Sequence, residues 1–359
     1  MKINIIGTIF GSSGYASHTR QLFNALVEEG AEVNLETMLP PAWEGLVTDQ
    51  ELKAIKQEHY NDGYTVFIGT PPYWTSAMNE PCKRFIGFCV WEGDKVPLSW
   101  LKPLQDADGV LVPSQHVKNA ILNTGVINTP IVIVPHGVDT ALFQPSEFEE
   151  PHNFTFVINK GWSQGLNDRG GVQFALKAFS EEFTEDEPVD LRVKINTVYN
   201  APGWNFQDEI KKLNLNPGRK AIFVMTDTVA YKAMPKIYHG GDVFLNPTMG
   251  EAFSIPCAEA MACGLPVITT DFGGQTDFVT EENGWLVKSE PFEVLHDIMY
   301  EGISWHRPDV AELRAIMRKA YESKSLVMTK GLKAREDIES FTWHSSAKKL
   351  LDALRSMEQ

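Results

Sequence analysis

DVFLNPTMGEAFSIPCAEAMACGLPVITTDFGG, residues 242–274, encodes a whole strand–loop–helix–strand unit. Val243–Leu245 is a short apolar run of the kind that forms a buried strand. It ends near Pro247, and the loop that follows carries Gly250 and Glu251. Ser254 is suited to cap a helix through its side-chain oxygen, and Pro256 suits the first helical turn, where no backbone N–H is needed. Gly264 and Pro266 stop that helix sharply, and the next strand runs over Pro266–Thr269. A helix opened this way turns its free N–H groups outward, which makes a ready site for a diphosphate. Two carboxylates frame it. Glu251 precedes the helix, and Glu259 lies inside it among Ala258, Ala260, Met261 and Ala262. That apolar company predicts a buried helix. A buried glutamate needs a partner, and sugar or ribose hydroxyls are suitable donors.

The same alternation extends in both directions. Strands are predicted at Lys2–Thr8, Ala31–Leu35, Tyr64–Ile68, Arg84–Val90, Gly109–Val112 and Ile131–Val134, with helices at Ser17–Glu29 and Gln115–Asn123. The acidic, proline-containing stretch Gln144–Asn153 reads as a linker. Beyond it come strands at Phe154–Asn159, Leu191–Asn196 and Ala221–Met225, a helix at Gly171–Phe183, and a helical tail from Trp343. Two blocks of alternating strands and helices predict an α/β chain with two doubly wound, Rossmann-like domains. Residues 1–148 form the first, joined by the C-terminal helix 343–359, and 149–342 form the second. In such sheets ligands bind at the carboxyl ends of the strands.

The chain has 359 residues and a formal net charge of −15. That charge argues against nucleic acid, whose affinity comes from phosphate neutralisation by Lys and Arg. Nor is there a basic amphipathic helix for an anionic membrane. The four cysteines, 82, 89, 257 and 263, have no metal-ligand or disulfide-framework spacing, and no DxD-type metal site is present. No segment is apolar and long enough to span a bilayer. A cytoplasmic protein without metal or cofactor is the expectation.

The 242–274 stretch resembles the E-x7-E motif of the retaining GT-B glycosyltransferases of the group 1, or family 4, type, which includes sucrose synthases and many bacterial and archaeal mannosyltransferases. The resemblance runs over nearly the whole chain and is tightest over 242–287. It implies a GT-B fold, with two Rossmann-like domains facing a central cleft. It also implies transfer of a hexose-type sugar from a nucleotide-sugar donor, UDP- or GDP-linked, to a glycan, protein or small-molecule acceptor. Glu251 would then meet hydroxyls of the transferred sugar, and Glu259 the nucleotide ribose. Ala252, Phe253 and Ser254 join the donor set at the helix start.

Other positions follow from the same resemblance. In KGWSQGLNDRGG, residues 160–171, Lys160 and Arg169 are the cations available for the leaving diphosphate, although Gly170 stands where the family usually has Lys. The loop FGSSG, residues 10–14, fails the G-x-G-x-x-G pattern but lets backbone approach phosphate, with Gly14 the candidate. Tyr15, His18 and Trp91 are acceptor-side candidates. Glu92, after the strand in GFCVWEGDKVPLSWL, is a candidate catalytic or sugar contact. Thr226–Ala230, Val229 included, is expected to hold the base largely through backbone. Two other readings stay open: a nucleotide-sugar epimerase of the same fold, which would convert its donor without an acceptor, and a non-catalytic sugar- or nucleotide-binding subunit.

Overall fold

The computed structural model describes residues 1–38, 47–55, 57–146, 152–197, 200, 203–215, 222–295 and 297–357. These form two compact units. The first comprises Met1–Gly137, Glu293–Ser304 and Phe341–Gln359; the second comprises Val138–Phe292 and Trp305–Ser340.

The first unit is built on a parallel sheet of β1 (Lys2–Gly7), β2 (Glu32–Thr37), β3 (Tyr64–Ile68), β4 (Arg84–Phe88), β5 (Gly109–Val112) and β6 (Ile131–Ile133). Their order across the sheet is β2-β1-β3-β4-β5-β6. The inner strands are apolar along most of their length, as both faces of a parallel sheet are covered. The helix after β1 runs over Gly14–Glu28 and starts earlier than its apolar periodicity suggests. Ser13 caps it, its hydroxyl accepting the Ala16 N–H at 3.2 Å. The C-terminal helix Trp343–Ser356 packs against this first helix.

The second unit holds β7 (Phe154–Gly161), β8 (Val189–Asn196), β9 (Ile222–Met225), β10 (Val243–Asn246), β11 (Val267–Thr270) and β12 (Gly284–Val287). They are parallel, in the order β12-β11-β10-β7-β8-β9. Counted from β7, this is the 3-2-1-4-5-6 order of a dinucleotide-binding sheet read from the other edge. The order reverses between β7 and β10, so the loops leaving these two strands diverge and open a crevice at their carboxyl ends. One face of this sheet is closed by Phe156, Ile158, Leu191 and Val193 against Leu176, Phe179, Leu313 and Met317.

The division between the units differs from the 148/149 boundary read from the sequence. The chain changes unit after Gly137 because Val138–Phe143 packs with the second unit. Phe143 is fully buried there against Tyr231 and Tyr238. Arg335 donates to the carbonyls of Thr140, Phe143 and Ala262, which fastens this segment to the end of the Ile255–Ala262 helix. Of the expected linker, residues 147–151 lie outside the described residues. The segment 293–304, which no sequence signal set apart, belongs with the first unit.

Candidate active site

The switch point of the second unit gathers the charges. Lys160 is the penultimate residue of β7, and only 7% of its surface is exposed. Its ammonium donates to Glu251 Oε1 at 2.8 Å and to Ser254 Oγ at 3.1 Å. Glu251 stands in the loop after β10, on the other side of the crevice. Arg169 reaches the same carboxylate oxygen at 3.4 Å and donates to the Gly250 carbonyl. Burial alone pushes the Glu251 carboxyl up, but Lys160 and then Arg169 pull harder and hold it below the usual carboxylate range. Glu251 is therefore a permanent anion, held between two cations.

Local sequence explains why these groups meet. Asp168 folds the cation loop: one oxygen accepts the N–H groups of Ser163 (2.7 Å) and Gln164 (3.0 Å), and the other accepts that of Gly170 (2.8 Å). Gly171 follows with φ 83°. A Cβ there would lie 2.0 Å from the Pro247 carbonyl oxygen, so only glycine lets this loop lie against the end of β10. Gly273, at φ 115°, has the same role on the far side. A Cβ there would sit 3.0 Å from the Glu251 carbonyl oxygen, and the next residue, Gly274, donates its N–H to that carbonyl at 2.7 Å. The glycine turn after β11 thus supports the backbone of Glu251.

The helix after β10 runs over Ile255–Ala262 and places Pro256 in its first turn, as expected. Ser254 departs from expectation. It occupies the N-cap position but makes no side-chain cap bond, and its backbone is left-handed, φ 73° and ψ 77°. Left-handed backbone is unfavourable for a residue with a Cβ. Its hydroxyl is engaged elsewhere, accepting from Lys160 and donating to Cys257 Sγ at 3.2 Å. Pro256 has no N–H and those of Cys257 and Ala258 close on the Ser254 carbonyl at 3.1 and 3.3 Å, so the helix start presents its positive end beside two cations. That is an anion site by both charge and dipole.

Glu259 is buried on this helix, 4% exposed, as its apolar neighbours predict. Its partner in the chain is the hydroxyl of Tyr238, which donates to Oε2 at 2.5 Å. Tyr238 in turn accepts from Asn159 Nδ2 at 3.0 Å. Burial pushes the Glu259 carboxyl up to about 7, with the Tyr238 hydrogen bond acting in the opposite direction. Ala252 and Phe253 are buried beneath the loop. Val229 is half-buried in the otherwise exposed segment after β9.

In the first unit the order reverses between β1 and β3, and the loop after β1 stands there. Arg20 shapes it by donating to the carbonyls of Ile9 and Gly11. Gly14 is exposed, and a Cβ on it would meet open space, which leaves room for a ligand. Tyr15 is half-buried and donates to the Val90 carbonyl at 3.3 Å. His18 and Trp91 are buried within the first unit. His18 is 2% exposed, in contact with Phe88 and His136; burial and then His136 hold its imidazole well below its ordinary pKa, hence neutral at pH 7. Trp91 is also 2% exposed, stacked on Tyr300, and its indole N–H is donated to the Lys95 carbonyl. The helix after β1 and the loop after β4 turn both side chains inward. Glu92 is half-buried, and its Oε2 accepts from the Tyr300 hydroxyl at 3.4 Å.

Residues 163–300 match the model of the family described as glycosyl transferases group 1. This stretch contains Arg169, Glu251 and Glu259. Over this stretch the chain is similar to the group 1 glycosyltransferases. Among relatives, it is 26% identical over 277 residues to a putative glycosyltransferase 45 of Sulfolobus islandicus filamentous virus, covering 73% of this chain and 72% of that one. It is 25% identical over 275 residues to the sulfoquinovosyl transferase SQD2 of Arabidopsis thaliana, covering 70% of this chain and 47% of that protein. The fold is that of sucrose-phosphate synthase from Thermosynechococcus elongatus: TM-score 0.74 at 17% identity, with 99% of each chain covered. It is also that of Anabaena HepE, solved in complex with UDP-glucose: TM-score 0.72 at 14% identity, with 99% of this chain and 100% of that one covered. The two Rossmann-like sheets are thus those of the GT-B fold.

Asn159 and Tyr238, which sequence reasoning passed over, are joined in a hydrogen-bonded chain to Glu259. Tyr238 precedes β10 in a short segment that reads as plain helix. Only its position against Glu259 reveals a role. Among the described residues no cluster of three His, Cys, Asp or Glu side chains is arranged to hold a metal, and the four cysteines are free. No described helix is long and apolar enough to cross a membrane.

Proposed function

We propose that this glycosyltransferase moves a hexose from a nucleoside diphosphate donor to an acceptor hydroxyl with retention at the anomeric carbon. The observation that carries the reading is the meeting of Lys160, Arg169, Glu251 and the start of the Ile255–Ala262 helix at the β7/β10 switch point. Breaking the bond between the sugar carbon and the diphosphate oxygen builds negative charge on the leaving group. Two fixed cations and the positive end of the helix stabilise that charge without reorganising. A UDP- or GDP-linked sugar carries the required groups. We assign its diphosphate to Lys160, Arg169 and the helix start, its ribose to Glu259, and its sugar hydroxyls to Glu251.

Glu251 stays ionised because its cations remain beside it, so it accepts hydrogen bonds from sugar hydroxyls rather than shuttling a proton. The acceptor proton then passes to a leaving phosphate oxygen as the new bond forms on the same face of the sugar. The two cations supply the charge compensation that a divalent ion would otherwise supply, and turnover is expected to persist in EDTA. Gly14 and Glu92 remain the ligand-contact candidates of the first unit. The net charge of −15 favours an acceptor that is not embedded in an anionic membrane.

Glu251→Gln tests this reading. It keeps the shape of the side chain and removes the anion. The variant is expected to bind UDP- or GDP-sugar yet lose transfer by roughly a hundredfold or more, the scale of one lost electrostatic contact in a preorganised site. Transfer at the wild-type rate would refute the assignment. Conversion of the donor sugar with no acceptor present would mark an epimerase instead.

A further inference from the structure

Asn159, Tyr238 and Glu259 form a file of polar groups inside a buried layer of the second unit. None is more than 6% exposed, and Tyr238 is fully buried. The Tyr238 ring is wedged between Phe143 and Phe244, with centroids 6.0 and 5.7 Å away, so its hydroxyl has one position. The hydroxyl has a single proton and must place it. Asn159 Nδ2 donates to the oxygen from one side, at 3.0 Å. The proton therefore goes to Glu259 Oε2, at 2.5 Å. Burial, and then the neighbouring Glu259, push the phenol's ionisation well up, so it stays a donor throughout the physiological range.

This arrangement divides the two carboxylate oxygens of Glu259. Oε2 is taken by Tyr238. Among the described residues no group donates a hydrogen bond to Oε1. A carboxyl group fixed at one oxygen and open at the other is oriented toward a ligand hydroxyl, and in its ionised form it is a strong acceptor for a vicinal diol. Without the tyrosine the same glutamate would be an unpartnered polar group on a buried helix, with no fixed rotamer toward the ligand.

We propose that Tyr238, set in place by Asn159, is a positioning residue that holds Glu259 as the clamp for the ribose hydroxyls of the donor, and so sets the preference for ribonucleotides over deoxyribonucleotides. The inference rests on the assignment of Glu259 to ribose made above. It also gives β7 a double task. Asn159 and Lys160 are consecutive, so the strand end that carries the diphosphate cation also begins the file that orients the ribose carboxylate.

The test is calorimetric binding of UDP and GDP, and of their 2′-deoxy and 3′-deoxy counterparts, to the intact chain and to Tyr238→Phe, Asn159→Ala and Glu259→Gln. Tyr238→Phe keeps the ring and its packing, and circular dichroism checks that it folds. The wild type is expected to prefer the ribonucleotide by roughly tenfold or more, the scale of hydrogen bonds to a charged group. Tyr238→Phe should lose most of that preference, weakening the ribonucleotide roughly five- to tenfold while the deoxy compounds change by less than about twofold. Asn159→Ala should shift the preference in the same direction by a smaller factor. If Tyr238→Phe weakens ribo and deoxy ligands equally, or leaves the preference intact while Glu259→Gln abolishes it, the positioning role is overturned and the ribose assignment stands. If Glu259→Gln itself keeps the wild-type preference, or neither diphosphate binds, the ribose assignment fails and takes this inference with it.

Discussion

Glu251 and Glu259 stand on either side of one helix N-terminus, separated by seven residues, and live in opposite electrostatic settings. Glu251 faces the switch point, where Lys160 and Arg169 outweigh its burial and keep it ionised. Glu259 is embedded in the sheet-facing side of the helix, where burial outweighs one phenol and raises its carboxyl to about 7. The difference lies in the partners, since the side chains are identical and both are largely withdrawn from water. A cation pair makes a constant charge suited to a developing transition state. A neutral donor makes an oriented, easily protonated group suited to reading hydroxyls.

The strongest way to break this contrast is to remove the cation that defines one side. Lys160→Met should leave Glu251 with Arg169 alone and lower turnover by roughly a hundred- to a thousandfold, measured as transfer from UDP- or GDP-sugar. An effect below about tenfold would mean that Lys160 does not face the leaving group.

The next effect concerns Glu259 and has a definite sign. Its folded pKa, about 7, lies above its unfolded value, so its contribution is fully present below about pH 4.5 and is lost as pH rises towards 7. At about 1.4 kcal/mol per unit, the loss is on the order of 3 kcal/mol. Glu259→Gln cannot ionise, so the stability difference between variant and wild type should widen in the variant's favour across that window and stay level above it. Urea denaturation at a series of pH values reads this directly. A constant difference from pH 4.5 to 7 would show that Glu259 is already ionised in the fold.

Gly273→Ala should follow, destabilising by roughly 1–3 kcal/mol, because the backbone is left-handed and the new methyl would press on the Glu251 backbone. Its melting temperature and donor affinity should fall together. Ser254→Gly should give the smallest change, with fold and function moving apart. Glycine relieves the left-handed strain, so the melting temperature should hold or rise, while diphosphate affinity drops by roughly three- to tenfold as Lys160 loses a tether. A drop in stability with unchanged affinity would reverse the role assigned to Ser254.

Much of this is legible in the sequence. The strand–helix alternation places eleven of the twelve described parallel strands within a few residues, because buried strands in parallel sheets are written as short apolar runs. The exception is β12, whose four residues open on Gly284 and leave too short an apolar run to stand out. Glu251 and Glu259 can be named because they flank a helix start that local signals mark, and Lys160 and Arg169 because the family resemblance points to cations at and after the end of β7. The cap at Ser254 is misread because the serine pattern states a propensity, whereas the ammonium that captures the hydroxyl comes from β7, far away in the chain. Tyr238 and Asn159 are invisible for the same reason: their pairing spans 79 positions. The burial of His18 and Trp91 is not legible, because residue type alone does not show which way a helix or loop faces. Residues 293–304 fold with the first unit through contacts such as the Ser304 N–H on Asp94 Oδ1, at 2.8 Å, which no local pattern announces.

The central claim is that the β7/β10 switch point holds the donor diphosphate. Calorimetric titration of the intact chain with nucleoside, monophosphate and diphosphate forms of uridine and guanosine tests it most directly, with Lys160→Met as the counterpart. For one of the two bases the diphosphate should bind at least roughly tenfold tighter than the monophosphate, and Lys160→Met should erase most of that gain while leaving nucleoside binding unchanged. Equal affinity for mono- and diphosphate in the wild type, or an undiminished preference in the variant, would contradict the account.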